Sequence, residues 1–282
     1  MQLHLARAFL CALLSSASAL LLASLAAAQS PKLKNMELCN DFQNISADLQ
    51  INGCTALIQV GGLMPQGVAI AHNNRGNAYQ RRGDYDRAID DYIRALNSKP
   101  DYAEAFNNRG VAHYKKKAFG SAIQDFDRAV ELKPDYASAF ANRAKTYQSK
   151  GDYHRAATDY DEAIRLNPNS ETIWNERCWT RALTGDLLSA LADCNEALRL
   201  NPSAAAIIDT RGFAYLKMGH WDAAIADYNS ALRLEPNFAT SLYGRGLAKI
   251  KTNDKAAGQS DVNAAIAISP TIAENFARYG LQ

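Results

Sequence analysis

A pattern of small, aromatic and proline residues returns every 34 residues between Ala69 and Ile272. Counting Ala69 as the first place, six copies keep a small residue at places eight and twenty, alanine at place twenty-seven and proline at place thirty-two. The eighth places are occupied by Gly76, Gly110, Ala144, Cys178, Gly212 and Gly246. One unit of this length buries too little apolar surface to fold alone. The period therefore predicts a stack of repeated units that stabilise one another.

Each unit predicts two helices joined by a tight turn. Places four, eight and eleven share one helical face, and places twenty, twenty-four and twenty-seven share another. In the first unit, Gly83 can adopt a positive φ at the end of the first helix, and Asp84 can cap the second. Pro100 ends that second helix, because the residue before a proline avoids helical angles. Small residues at places eight and twenty then let the two helix axes approach closely.

These places resemble the signature of the tetratricopeptide repeat family, and the resemblance covers about 70% of the chain. It implies an all-α fold, a right-handed superhelical solenoid of antiparallel helix pairs. It also implies a concave groove that binds a protein or peptide partner. The predicted repeats are residues 69–102, 103–136, 137–170, 171–204, 205–238 and 239–272.

Both ends of the array carry weaker copies of the pattern. Residues 29–68 are predicted to form a degenerate N-terminal repeat and a linker, with Cys54 at the aromatic place and a link over Gly61–Gly67. Residues 273–282 are predicted to form a C-terminal capping helix, because Phe276 and Gly280 match the fourth and eighth places. Such a helix would cover the last apolar face of the stack.

Residues 1–28 have the layout of a secretory signal peptide. Arg7 precedes an apolar run over Ala8–Ala28, which ends in three small residues. We expect cleavage before Gln29 and a periplasmic or secreted protein, similar to exported bacterial tetratricopeptide repeat proteins. An uncleaved membrane anchor is the alternative, since about 20 apolar residues can span a bilayer. No second stretch of that kind occurs, so no membrane span is expected after cleavage.

Charge and motif content argue against several functions. The formal net charge is +2, and removal of the signal would leave about +1, whereas nucleic-acid proteins normally show a concentrated basic face. The five histidines lack metal-ligand spacing, and no activated nucleophile or phosphate-binding loop is present. We therefore expect no catalytic residue, no metal, no cofactor and no nucleic-acid partner.

Four cysteines form two matching pairs. Cys178 and Cys194 occupy places eight and twenty-four of one repeat, which face each other across the helix pair. Cys39 and Cys54 fall near the same places of the degenerate repeat. In an exported chain this arrangement predicts two disulfides, and buried free thiols are the alternative.

A second regularity departs from the usual family pattern, in which place seven is apolar. Here every repeat has arginine at place seven and aspartate at place twenty-three, which should lie within reach of each other. We call these twelve residues the arginine–aspartate ladder and predict a structural role for it, because repetition in every unit is typical of scaffolding. Its members are Arg75, Asp91, Arg109, Asp125, Arg143, Asp159, Arg177, Asp193, Arg211, Asp227, Arg245 and Asp261.

The unpacked face of the first helices is the candidate binding groove. Its N-terminal part is polar and resembles the asparagine ladder by which some tetratricopeptide superhelices hold a peptide backbone. Its C-terminal part is apolar, with Trp179 as the candidate anchor. The candidate residues are Asn73, Asn74, Asn77, Asn107, Asn108, Asn142, Trp179, Phe213, Leu216, Leu247 and Ile250. The alternatives are that the asparagines are only solvated and that Trp179 only packs on Arg211 or its neighbours.

Together these observations predict an exported scaffold that binds a protein or peptide partner in cell-envelope assembly or maintenance. An envelope carbohydrate-binding or assembly-chaperone module using the same groove is the alternative. The oligomeric state does not follow from the sequence.

Overall fold

The structure, a computed structural model, describes residues 31–41 and 44–281. All regular secondary structure in these ranges is helical, and no strand occurs among them. The predicted signal peptide, its cleavage site and Cys11 lie outside the described residues. The helices are α1 (31–40), α2 (Ala47–Val60), α3 (Pro65–Arg81), α4 (Tyr85–Ser98), α5 (Ala103–Lys115), α6 (Phe119–Leu132), α7 (Ala137–Ser149), α8 (Tyr153–Leu166), α9 (Glu171–Thr184), α10 (Leu187–Leu200), α11 (Ala205–Met218), α12 (Trp221–Leu234), α13 (Ala239–Lys251), α14 (Lys255–Ile268) and α15 (Ile272–Arg278).

The all-α solenoid fold predicted from the 34-residue period is confirmed. Within a repeat, α3 packs against α4, α7 against α8, α9 against α10, α11 against α12, and α13 against α14. Successive repeats also touch, since α8 packs against α9, α10 against α11 and α12 against α13. The helices divide into two compact units, one ending at Ser121 and one beginning at Ala122.

Direct contact with the aromatic place explains the small residue at place eight. A Cβ atom added to Gly76 would lie 2.7 Å from Cε1 of Tyr92, which is fully buried. In the last repeat, places eight and twenty are both glycines. A Cβ on Gly246 would lie 2.8 Å from the carbonyl oxygen of Gly258. Such contacts leave no room for a side chain, so the two helices of a repeat approach as closely as their backbones allow.

The turn inside each repeat requires a left-handed residue. Gly83 has a φ of 77° and ends α3, and the Asp84 carboxylate caps α4 by accepting a hydrogen bond from the Arg87 amide. Two repeats lack glycine at this place. There Lys117 and Asn253 adopt φ values of 60° and 71°, a region that favours glycine.

The link between the degenerate and first full repeats is shorter than the sequence suggested. Helix α3 begins at Pro65, so Pro65, Gln66 and Gly67 are helical, and only residues 61–64 connect α2 to α3. Proline is favoured in the first turn of a helix because no intrahelical partner is lost there. At the other end, α15 is a seven-residue helix that stops before Tyr279.

The cysteine pairs fit the two predicted disulfide bonds. Cys39 and Cys54 have Cα atoms 4.5 Å apart, and those of Cys178 and Cys194 are 5.4 Å apart, with the sulfurs bonded in both pairs. All four side chains are fully buried. In the fourth repeat the bridge therefore fills the space that a glycine and a tyrosine fill in the first.

Candidate functional site

In five of the six ladder pairs, the arginine and the aspartate belong to the same compact unit. All five pairs have the same geometry. In each pair the arginine Nε and Nη2 donate to the two carboxylate oxygens of the aspartate, at 2.7 to 2.9 Å. This two-point contact matches the planar guanidinium to the carboxylate and orients both side chains. The five pairs are Arg75–Asp91, Arg143–Asp159, Arg177–Asp193, Arg211–Asp227 and Arg245–Asp261. Arg109 and Asp125 belong to different units, so their pairing stays a prediction.

The same arginines also contact the preceding repeat. Nη1 of Arg143 donates to Asp127 at 2.7 Å, and Nη1 of Arg177 donates to Asp161 at 2.7 Å. In the last two repeats the acceptors are Asn195 and Asn229. These acceptors all occupy place twenty-five, so each arginine joins the second helices of two neighbouring repeats. The Asp and Asn side chains at place twenty-five are a sequence signal for this contact, but the contact crosses a repeat boundary and does not show in the pattern of a single repeat.

In the first repeat a histidine joins the ladder. Nδ1 of His72 lies 3.1 Å from Oδ1 of Asp91, and both side chains are buried. Burial alone would raise the pKa of Asp91, but hydrogen bonds from Arg75 and His72 outweigh it and hold that pKa below its usual value. A paired, ionised carboxylate is a poor proton donor, which fits a structural role.

The asparagines of the first unit hydrogen-bond to one another. Asn107 donates to Asn108 at 3.3 Å, Asn108 to Asn73 at 3.1 Å, Asn73 to Asn74 at 3.4 Å, and Asn74 to Asn40 at 3.0 Å. This relay of amides crosses α5, α3 and α1. Its members are mostly buried rather than solvated, so the relay satisfies polar groups between neighbouring first helices.

The other two candidate asparagines have different surroundings. Asn77 accepts a hydrogen bond of 2.7 Å from the Tyr92 hydroxyl, and Asn142 is half-buried on α7. Whether any of these amides holds a peptide backbone stays a prediction.

The apolar candidates lie in the core of the second unit. Phe213 and Leu216 are 2% and 1% exposed, while Trp179, Leu247 and Ile250 are partly buried around the same cluster. The capping helix covers them. The Trp179 ring lies 4.6 Å from that of Phe213 and 5.2 Å from that of Tyr279, which follows α15. The packing alternative for Trp179 therefore holds in part, although its partners are Phe213 and Tyr279 rather than Arg211.

A polar strip precedes this cluster on α7 and α9. Lys145 pairs with Glu176 at 2.9 Å, and Gln148 donates to the Thr180 hydroxyl at 3.1 Å. The Lys145 side chain is 50% exposed, so the strip faces solvent. Trp179 lies one turn after Glu176 on α9. Accessible charges beside a partly buried indole are typical of a protein-binding surface.

Across residues 31–41 and 44–281, no three His, Cys, Asp or Glu side chains are grouped so as to hold a metal ion. Nor does any helix in that part of the chain have the length and apolar character needed to cross a bilayer.

Family models agree with the period and the fold. Models described as tetratricopeptide repeat match residues 73–137 and 137–170, and a model described as TPR repeat matches residues 212–252. No curated protein matches the sequence.

Solved structures share the fold at low sequence identity. YrrB, described as a TPR protein with an unusual peptide-binding site, is 19% identical with a TM-score of 0.57, over 68% of this chain and 97% of its own. A tetratricopeptide repeat protein from Parabacteroides merdae is 18% identical with a TM-score of 0.63, over 83% and 92% of the two chains. The structure of pilF of Pseudomonas aeruginosa is 17% identical with a TM-score of 0.64, over 76% of this chain and 98% of its own. At these identities the likeness concerns the fold.

Proposed function

Because the chain belongs to the tetratricopeptide repeat family, we propose that it is an exported, non-catalytic scaffold that binds a protein or peptide partner on its first helices. The binding surface that we propose lies in the second unit, on the strip formed by Lys145, Gln148, Glu176 and Trp179. Its cellular role would be in cell-envelope assembly or maintenance.

The strip on α7 and α9 carries this proposal. The small, aromatic and ladder places hold the repeats together, and none of them requires an exposed Lys–Glu pair or a partly buried tryptophan on the first helices. The strip combines an exposed ammonium, a carboxylate and an amide with an aromatic side chain, which suits recognition of an extended segment with one apolar residue. The peptide-binding site ascribed to YrrB supports the same class of partner.

Export is supported by two independent features. The apolar run over Ala8–Ala28 follows a single basic residue, as in signal peptides. The two cysteine pairs at bonding distance fit an oxidising compartment outside the cytosol.

A crosslinking pull-down tests the proposal, with the purified protein lacking residues 1–28 as bait in a periplasmic extract. We expect a defined protein to be recovered, and a synthetic segment of it to bind in calorimetry. Recovery of a polysaccharide instead would overturn the peptide proposal in favour of carbohydrate binding.

Two tryptophans on α9 provide a matched pair of variants. Trp179→Ala removes the anchor and should weaken the identified partner roughly 30-fold, since such anchors contribute about 2 kcal/mol. Trp174→Ala removes an indole whose Nε1 donates to the carbonyl of Pro168 and which stacks on Arg177, so binding should change less than about twofold. Circular dichroism must show both variants folded. Equal affinities for Trp179→Ala and the parent would place the site elsewhere.

A further inference from the structure

A partly enclosed cavity of about 120 Å³ lies in the second unit beneath α15. Aromatic rings from four helices and from Tyr279 line part of its wall, and a carboxylate, a hydroxyl and an amide line the rest. The residues that matter here are Trp179, Asp209, Phe213, Thr240, Asn275 and Tyr279. At about 30 Å³ for each water molecule, the volume corresponds to roughly four waters or an organic group of similar size.

Asp209 is the unusual group of this cavity. Its carboxylate accepts hydrogen bonds from the hydroxyls of Thr240 and Ser241, at 3.0 and 2.5 Å. Among the described residues no cation pairs with it, in contrast to the ladder aspartates. Burial, with a smaller effect from the negative charge of Glu235, raises the pKa of Asp209 to about 6. The carboxyl is still largely ionised at neutral pH, and a partly buried anion without a counter-ion is costly.

The aromatic wall complements this negative charge. The Phe213 ring lies 5.8 Å from the ring of Tyr279, and the ring of Trp179 lies close to both. Aromatic faces attract cations, most strongly where water is excluded. Lys217, two turns along α11 from Asp209, already lies 6.0 Å from the Phe213 ring centroid. It forms no ion pair with Asp209 among the residues that the structure describes.

The lining therefore combines one negative charge that has no cationic partner with cation-attracting rings, and its other polar groups, the Asn275 amide and the hydroxyls of Tyr228 and Tyr279, are neutral. A neutral apolar molecule would leave the carboxylate without a counter-ion. An ammonium group satisfies both parts of the wall at once, because its N–H groups can donate to Asp209 while its carbon atoms contact the rings.

We propose that this cavity binds a small ammonium group of about three to five heavy atoms, held by Asp209 and the rings of Trp179 and Tyr279. The group comes either from a free alkylamine or from a lysine side chain of a bound peptide. The inference does not depend on the proposed function, since a free amine needs no partner protein.

Titration of the purified protein with ethylammonium chloride tests this inference, with sodium chloride at equal ionic strength and ethanol as controls. Binding is followed by the fluorescence of the indoles and by the NMR signals of Tyr279. We expect saturable changes with ethylammonium and none with the controls. Asp209→Asn should weaken binding at least tenfold, while Asp222→Asn, which removes an exposed charge of the same helix pair, should leave it unchanged. If Asp209→Asn fails to fold, Tyr279→Leu serves as the second variant, with an expected loss of at least fivefold.

Two capped peptides distinguish the sources of the ammonium group. One has the sequence Gly-Lys-Gly, and the other has norleucine in place of lysine. Binding of ethylammonium supports the free amine, whereas binding of the lysine peptide alone supports a peptide side chain. If neither ethylammonium nor the lysine peptide binds, or if both bind to Asp209→Asn as tightly as to the parent, the cavity holds only water and the inference is overturned.

Discussion

At the scale of single residues, the ladder arginines make two contacts, and the sequence pattern predicts only one of them. Their spacing from the aspartates, 16 residues in every repeat, follows from the period and was sufficient to expect an ion pair. The second contact, from Nη1 to place twenty-five of the preceding repeat, depends on side-chain direction across a repeat boundary. Spacing within one unit cannot specify that direction.

We expect Arg143→Leu and Asp159→Leu together to cost less stability than Arg143→Leu alone. Loss of the arginine leaves Asp159 as an unpaired, mostly buried carboxylate, which should lower the free energy of unfolding by about 3 kcal/mol. The double variant removes both charges, so the coupling between the two sites should be about 1–2 kcal/mol. Urea unfolding of the four proteins of the cycle measures it.

The control for this cycle is Arg155→Leu, which breaks an exposed pair with Asp152 and should change stability by less than about 0.5 kcal/mol. Simple additivity of the Arg143 and Asp159 substitutions would show that the two residues do not interact.

Lys117 offers a second test at this scale. Its φ of 60° is strained for a side-chain-bearing residue, whereas four other repeats have glycine at the same place. Lys117→Gly should therefore raise the free energy of unfolding by about 0.5–1 kcal/mol. Lys116→Gly is the matched change at a φ of −80° and should lower it by a similar amount. Thermal unfolding of both variants checks the prediction, and a loss of stability in Lys117→Gly would contradict it.

At the scale of helices, the pairing of elements follows from sequence but the position of the last helix does not. The eighth and twenty-fourth places predicted which cysteines could meet, because every repeat has the same helix pair. Among residues 31–41 and 44–281, no second helix follows α15. It packs against α13 and α14 and brings Phe276 and Tyr279 onto side chains of earlier repeats. A periodic pattern cannot predict this, since it describes only the relation of one repeat to the next.

Loss of either disulfide should loosen one helix pair only. The Cys178–Cys194 bridge joins residues that are 16 positions apart in the sequence. We expect the Cys178→Ala, Cys194→Ala double variant to lose roughly 3 kcal/mol of local stability, the chain-entropy value for a loop of about that length. Faster amide hydrogen exchange should appear in α9 and α10 but not in α13 and α14. The corresponding variant at Cys39 and Cys54 should affect only α1 and α2. Uniform loss of protection across all helices would show that the bridges act globally.

The capping helix should be essential to the end of the array. Phe276 is 3% exposed, and its ring lies 4.7 Å from Tyr243 and 5.9 Å from Phe213. Phe276→Ala should lower the free energy of unfolding by about 3 kcal/mol and increase hydrogen exchange in α13 and α14. Arg278→Ala, on the exposed side of the same helix, should change stability by less than about 0.5 kcal/mol. Unchanged exchange in the Phe276 variant would mean that α15 is dispensable.

At the scale of the whole molecule, the period was sufficient to predict the fold class. The division into two compact units, at Ser121, has no counterpart in the sequence, where the second repeat is as regular as the others. The candidate site was the least predictable part. Helical spacing identified the first-helix face, but whether Asn73 or Phe213 is accessible depends on which neighbouring side chains reach it. The sequence of one repeat contains no information on that point.

Expression of the full chain in a bacterium with a periplasm tests the export of the molecule. We expect the purified protein to begin at Gln29, and its cysteines to resist alkylation in denaturant until a reductant is added. A second protein, made without residues 1–28, should remain in the cytosol with four free thiols that are alkylated in denaturant without a reductant. Intact mass spectrometry before and after alkylation measures both properties. A mass that includes Met1 would indicate that the N-terminal segment is retained.

The contact from each ladder arginine to the preceding repeat gives assembly of the second unit a direction. A ribosome releases the N-terminal repeats first, so the acceptors at Asp127 and Asp161 leave it before the arginines that bind them. Each newly released arginine thus meets an acceptor on a helix that has already been synthesised, and no repeat has to wait for a later one to satisfy its guanidinium. Growth from the opposite end would leave Nη1 of each arginine without its acceptor until the preceding repeat had packed, although the aspartate of its own repeat would already bind Nε and Nη2. The ladder is therefore suited to a chain that folds in the order in which it is made.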